Sequence, residues 1–220
     1  MPGTTKNGLF RNALIAIGER PVDTGAEVES ARSLVEVYDR TVEDCLSAGS
    51  WNFGTITTVL KGDTGLATSD TGLGVYGPRY GFTMPSNYVR TVAISGDEYF
   101  SQPLSGYTQE NNQIQADTTP IYLKYISSDT GAGLELTSWP RAFTRYVELE
   151  LAARVCDRLT QSASKTDQVE GRRDKARRTA LNHDAMNEQN PKFKPDGSWT
   201  QSRSGRSAGR DRGLRSRLTS

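Results

Sequence analysis

Two stretches, 28–45 (VESARSLVEVYDRTVEDC) and 139–156 (WPRAFTRYVELELAARVC), decide the fold of this chain. In the first, Val28, Ala31, Val35, Tyr38, Val42 and Cys45 recur at the three-and-four spacing of one helical face. In the second, Trp139, Ala142, Tyr146, Leu149, Ala153 and Cys156 do the same. An apolar stripe must be buried against something, and the comparable stripe for each is the other, so the two are expected to close into one bundle core. Whatever lies between them is then looped out.

That intervening stretch reads as β. Trp51-Asn52-Phe53 puts two large aromatics where helix hands over to strand, and Trp139 stands where helix returns, so these three are expected to plug the joint between the parts. β-branched residues and alternation mark strands at Ile56–Leu60, Val75–Thr83, Tyr88–Ser95, Gln113–Ala116 and Ile121–Ser127. Gly96-Asp97 and Asn111-Asn112 are turn signals, consistent with a compact antiparallel sheet or small barrel. The run KGDTGLATSDTGLG at 61–74 has no regular apolar spacing and reads as a loop.

Outward from this frame, a helix is expected from Asn7 to Ile17, with Phe10, Ala13, Leu14 and Ile17 on one face and Gly18 just past its end. Thr24 and Glu27 have the spacing of a capping box for the second helix. Ser138 or Trp139, followed by Pro140, caps the third. A fourth helix from Lys165 to Glu188, capped by Ser164, carries only a thin apolar face of Val169, Ala176, Ala180 and Met186, so it is expected to be movable or to be completed by a neighbouring subunit. The expectation is an α+β chain with three parts. These are an antiparallel helical bundle from 1–53 and 138–189, an inserted small antiparallel β domain at 54–137, and an extended basic C-terminal arm at 190–220.

The 220 residues suffice for a real core, yet a hydrophobic content of 35% is low, so part of the chain is expected to await a partner. The net charge of +1 conceals an acidic body with a basic tail, for Asn190 to Ser220 holds eight basic residues against two acids. That tail cannot build its own core, and if extended it reaches about 100 Å. Phe193 and Trp199, with Arg203, Arg206 and Arg210 around them, suit docking onto an acidic protein surface; phosphate contact is the competing use of the same cations. No apolar run approaches a membrane span, and the N-terminus lacks a secretion signal, so a soluble chain with no membrane partner is expected.

Little in the sequence marks catalysis. Its one His (His183) and two Cys have no metal-ligand spacing, and no Gly-x-Ser-x-Gly elbow is present. Residues 74–81 (GVYGPRYG) lack the Lys-Ser or Lys-Thr of a phosphate loop, and Asp63 and Asp70 lack calcium-loop spacing. Glu148 and Glu150 fall on different helical faces and read as surface or interface charges. Cys45 and Cys156 read as small core hydrophobes. A structural or binding role without catalytic, cofactor or metal residues is therefore expected.

The order of segments carries a resemblance. Two N-terminal helices lead into Ser50-Trp51-Asn52-Phe53. Met84-Pro85-Ser86-Asn87-Tyr88-Val89-Arg90 opens a strand, and Asn112-Gln113-Ile114-Gln115-Ala116-Asp117 and Pro120-Ile121-Tyr122-Leu123-Lys124-Tyr125-Ile126 follow. A Trp-Pro-capped helix then carries Glu148-Leu149-Glu150-Leu151-Ala152-Ala153-Arg154. From Asn7 to Asn190 this resembles the head-to-tail adaptor proteins of tailed bacteriophages, in particular the tail tubular protein A group. The resemblance implies a homo-oligomeric ring, expected to be dodecameric, located in the virion neck after assembly in the host cytoplasm. Its partners would be the portal protein, a tail nozzle or tail tube protein, further copies of itself, and DNA passing non-specifically through the bore. It also implies that Phe193, Trp199, Arg203, Arg206 and Arg210 dock on the portal. The contrasting expectation from the basic residues alone is a nucleic-acid-binding protein with a disordered basic tail. A cell-wall hydrolase carried in the virion ranks below both, because no acid/base pair stands out.

Overall fold

Thr5 and Gly18 bound the first helix, α1 (Lys6–Ile17). The Thr5 hydroxyl accepts the Gly8 N–H at 3.2 Å, while Gly18 takes the left-handed conformation at φ 84° and Glu19 N–H reaches back to Leu14 O at 2.9 Å. A residue with a Cβ is strained at that φ, which is why glycine ends this helix. The computed structural model describes residues 4–62 and 80–187.

Helix α2 (Glu29–Ser47) starts later than its capping-box signal predicts. Thr24 does not cap it: the Thr24 N–H (3.0 Å) and hydroxyl (2.5 Å) both donate to Asn7 Oδ1, tying the connecting loop to α1 instead. After a 3₁₀ turn (Asn52–Gly54) come β1 (Thr55–Leu60), β2 (Tyr80–Thr83), β3 (Tyr88–Ser95), β4 (Tyr107–Glu110), β5 (Gln113–Ala116) and β6 (Ile121–Ser127). Helices α3 (Arg141–Thr160) and α4 (Ala163–Asn187) complete the order. Pro140 is the residue before α3 rather than in its first turn. The fold is mixed α+β.

Among the described residues, the strands make two antiparallel three-stranded sheets, in the orders β1-β6-β3 and β2-β5-β4, rather than one sheet or a barrel. Strand β4 has no counterpart in the sequence reading because all four of its residues are exposed, leaving no alternation to see. It pairs with β5 across Asn111 (φ 47°) and Asn112 (φ 59°), a two-residue turn with both residues left-handed, which matches the twist of a hairpin. The two sheets share a core that includes Phe82, Met84, Ile94, Ile114, Ile121 and Leu123. Ile126 turns to the other side of β6 and joins the helical core, with Val89 and Val92 of β3 packed against it. All these elements fall within one compact unit.

In the helical part, α3 packs against α1, α2 and α4. Phe143, Val147, Leu151, Ala152 and Val155 are buried along with the anticipated Tyr146, Leu149 and Cys156, so α3 is enclosed on several sides rather than along one stripe. Ala142 and Ala153 are half-buried. On α2, Ala31, Leu34, Thr41, Val42, Cys45 and Leu46 are buried and Tyr38 is half-buried. Val28 and Val35 correct the sequence reading: they are 48% and 45% exposed. Because α2 begins at Glu29, Val28 lies outside the helix as its capping residue, and Leu34 rather than Val35 fills the seam. Met186 is likewise exposed, which leaves α4 with Val169 and Ala180 buried and Ala176 half-buried.

Candidate functional site

The joint between helices and sheets is an aromatic cluster. The Trp51 ring meets Phe143 edge-on at 4.8 Å between centroids, Phe53 meets Phe143 at 4.7 Å, and Trp139 stands perpendicular to Phe143 at 5.0 Å. Trp51 and Trp139 are buried and Phe53 is half-buried. Each indole is held by a backbone carbonyl: Trp51 Nε1 donates to Cys45 O and Trp139 Nε1 to Gly133 O, both at 2.9 Å. Buried indoles without such acceptors would carry an unsatisfied donor. Phe143, absent from the sequence reading of this joint, is its centre; only its neighbours in space identify it.

Gly133 itself is fixed by a close approach. A Cβ placed there would lie 2.0 Å from Ser127 O, so the loop leading to Trp139 lies directly on the end of β6.

A set of polar ties surrounds the joint. Buried Asp184 of α4 accepts the Asn52 N–H at 3.1 and 3.2 Å, and Asn52 Nδ2 donates to Asp184 O at 3.0 Å. Glu148 is buried, not a surface charge: Asn12 Nδ2 donates to it at 2.6 Å and Arg145 Nη1 at 3.1 Å, linking α1 to α3. Glu150 receives Arg154 at 3.2 Å and Arg173 at 3.7 Å, and Arg154 continues to Asp44 at 2.6 Å. That chain of charges links α2, α3 and α4. Arg158 adds pairs to Glu29 and Glu36.

The thiols carry no reactive signature. Cys45 and Cys156 are free and buried. Burial pushes the Cys45 thiol up to about 12, where almost none is thiolate at neutral pH. Burial also raises its neighbour Tyr146, and raises Tyr38 to about 12. The Tyr38 ring has Lys6 Nζ 4.0 Å from its centroid and Phe10 edge-on at 5.7 Å.

Next to the joint lies a shallow groove of about 280 Å³ between α3 and α4. Ala142, Leu149 and Ala176 give it an apolar lining, and Arg145, Arg172 and Lys175 surround it with positive charge. Arg172 Nη1 donates to Ala16 O at 3.1 Å, which places a cation at the C-terminal end of α1 where the helix dipole favours one. His183 is exposed on α4. Among the described residues no group of three potential metal ligands converges, and no helix is long and apolar enough to cross a membrane. Asp63 and Asp70, and the arm residues Phe193, Trp199, Arg203, Arg206 and Arg210, lie outside the described residues. Comparison with protein-family models and with curated proteins returns no match to this chain.

Proposed function

We propose that the chain is a structural head-to-tail connector of a tailed phage virion, similar to the tail tubular protein A group, and not an enzyme. It forms a homo-oligomeric ring, taken as a dodecamer, between the portal and the tail nozzle or tube, with DNA passing through its bore. In this reading the helices form an antiparallel bundle, 54–137 is a β insertion, and 190–220 is an extended arm whose Phe193, Trp199, Arg203, Arg206 and Arg210 grip the portal. The observation that carries the reading is the sharing of α3: helices from before and after the sheets pack on it, so the β part projects from between them. Such a frame offers one surface to neighbours in a ring and another to the structures above and below.

The test is direct. Purified portal protein is expected to capture the full chain, and the chain lacking 191–220 is expected to lose that capture while keeping its thermal unfolding transition. Unchanged capture by the shortened chain removes the arm's role. Neck imaging with a labelled chain that finds the label elsewhere in the virion removes the connector role.

The nucleic-acid-binding reading retains one specific support, the exposed Arg172, Lys175, Arg177 and Arg178 of α4. It is tested by DNA affinity that is tight at low salt and falls steeply as salt rises.

A further inference from the structure

We propose that copies of this chain join head to tail, the outward face of α2 on one copy seating in the cationic groove between α3 and α4 of the next. The inference rests on the ring reading for its setting and supplies that ring with a named self-interface.

Two features on different helices motivate it. On α2, Val35 is 45% exposed although it lies on a helix whose opposite side is core, and Val28 two turns before it is also exposed. Asp39 and Glu43 follow Val35 at intervals of four residues, so the three form a row up the outward side. Of the exposed acids on α2, Glu29 and Glu36 are engaged with Arg158, and Asp44 with Arg154, whereas Asp39 and Glu43 enter no ion pair among the described residues. The cations on that side are Arg32 and Arg40, and Arg40 sits with Glu36 and Asp44 in the cleft beside Arg154.

The groove is complementary in both respects. Its apolar lining of Ala142, Leu149 and Ala176 suits a valine. Its cations Arg172 and Lys175 are three residues apart on α4, and Asp39 and Glu43 are four apart on α2; both spacings are about one helical turn, roughly 5–6 Å. Lys175 enters no ion pair among the described residues, Arg145 is shared with Glu148, and Asp174 nearby is engaged with Arg173.

The two patches cannot satisfy each other within one copy, because α2 and α4 each pack along α3 rather than along one another. A contact between unlike patches repeats from copy to copy and closes into a ring or runs on as a filament. The occupant of the groove is therefore a second copy of this chain. An unrelated acidic peptide on the same groove would leave the α2 face with no role.

The experiment measures self-association of the full chain by sedimentation and mass photometry at several salt concentrations. Lys175→Glu and Asp39→Lys are made singly and then together in one chain; both positions are exposed, so thermal unfolding checks that each variant is folded. Each single reversal is expected to weaken association at least about tenfold, and the double reversal to recover most of it, because every copy then again carries opposite charges on its two faces. Mixing the two single variants is expected to restore the larger species with the two alternating, because one contact keeps the native charges and the next carries the same reversed pair as the double variant. If the wild type associates and the single reversals leave it unchanged, the interface is wrong while the ring reading stands. If the singles weaken it and the double does not recover, Asp39 and Lys175 do not face each other across the contact, and α2 is not the groove's occupant. If the wild type stays monomeric at all concentrations, alone and with portal protein, both the interface and the ring fall.

Discussion

The two flanks of α3 are held by different physics. Toward α2, the contact has an apolar centre, where Leu34, Val42, Cys45 and Leu46 are buried and Trp51 closes the end against Phe143 and Tyr146, with Arg154 and Arg158 pairing to Asp44, Glu29 and Glu36 at its exposed margin. Toward α4, the buried apolar contribution is Val169 and Ala180, supported by half-buried Ala176 and Leu181, and the fixing contacts are the Glu150–Arg173 pair and the Asp184–Asn52 bonds. Burying aliphatic side chains stabilises by about 25 cal/mol for each Å² removed from water, while partly exposed ion pairs add little. Apolar burial is therefore expected to do most to hold the α2 flank, and polar ties to carry a larger share of the hold on α4.

The largest test removes the anchor of the apolar flank. Trp51→Ala deletes a buried indole, its hydrogen bond and its ring contacts, and is expected to cost about 3–5 kcal/mol in urea unfolding. A loss under about 1 kcal/mol would mean that the aromatic joint does not hold the fold.

Next comes Gly133→Ala. Its new Cβ meets a backbone oxygen rather than a flexible side chain, so the loop must shift, at a cost of about 2–3 kcal/mol in the same assay. A neutral outcome would place that loop elsewhere.

Asp184→Ala probes the polar flank. Losing a charged acceptor for the Asn52 N–H is expected to cost about 1.5–3 kcal/mol, with hydrogen exchange rising along the C-terminal turns of α4 and unchanged in α2. Equal loosening of both helices would erase the contrast between the flanks.

Gly171→Ala works in the opposite direction. Gly171 lies mid-helix on the exposed side of α4 with open space around it, so alanine is expected to stabilise by about 1 kcal/mol. A higher thermal midpoint without change in the α2 exchange rates would sharpen the comparison.

The smallest effect lies in the β part. Asp97 accepts the Ser95 and Ser101 hydroxyls and the N–H groups of Ser101 (3.0 Å) and Gln102 (3.1 Å). Those bonds, led by the Ser101 and Ser95 hydroxyls, hold its carboxyl well below the usual 3.8. A depressed folded-state value means that the stabilisation is present above the ordinary carboxylate range and is lost as pH falls through and below it. Asp97→Asn is expected to flatten stability against pH in that acid window and nowhere else, as read by unfolding from pH 5 downward.

Sequence legibility divided between local and distant determinants. Helix α1, its Gly18 end, the Asn111-Asn112 turn and strands β3, β5 and β6 were readable because each depends on neighbours a few residues away. The α2 start was misread because Thr24 bonds to Asn7, seventeen residues back, a choice no capping rule contains. Glu148 reads as a surface or interface charge from its own helix, because its hydrogen-bond partner, Asn12, is 136 residues distant. Of the candidate groove, no spacing rule brings Arg145 of α3 together with Arg172 and Lys175 of α4 around Ala142, Leu149 and Ala176.

By itself, the sequence determined where most of the helices and strands form, which face of α1 is apolar and that the α4 face is thin, since propensity, periodicity and turn chemistry are local properties of the chain. Tertiary structure alone decided that the strands divide into two sheets, that α3 is enclosed by three helices, that Val28 and Val35 stay outside, and that Phe143 centres the joint. The physical reason is that burial and ion pairing depend on groups brought together from distant positions, and a spacing rule sees only one helix at a time.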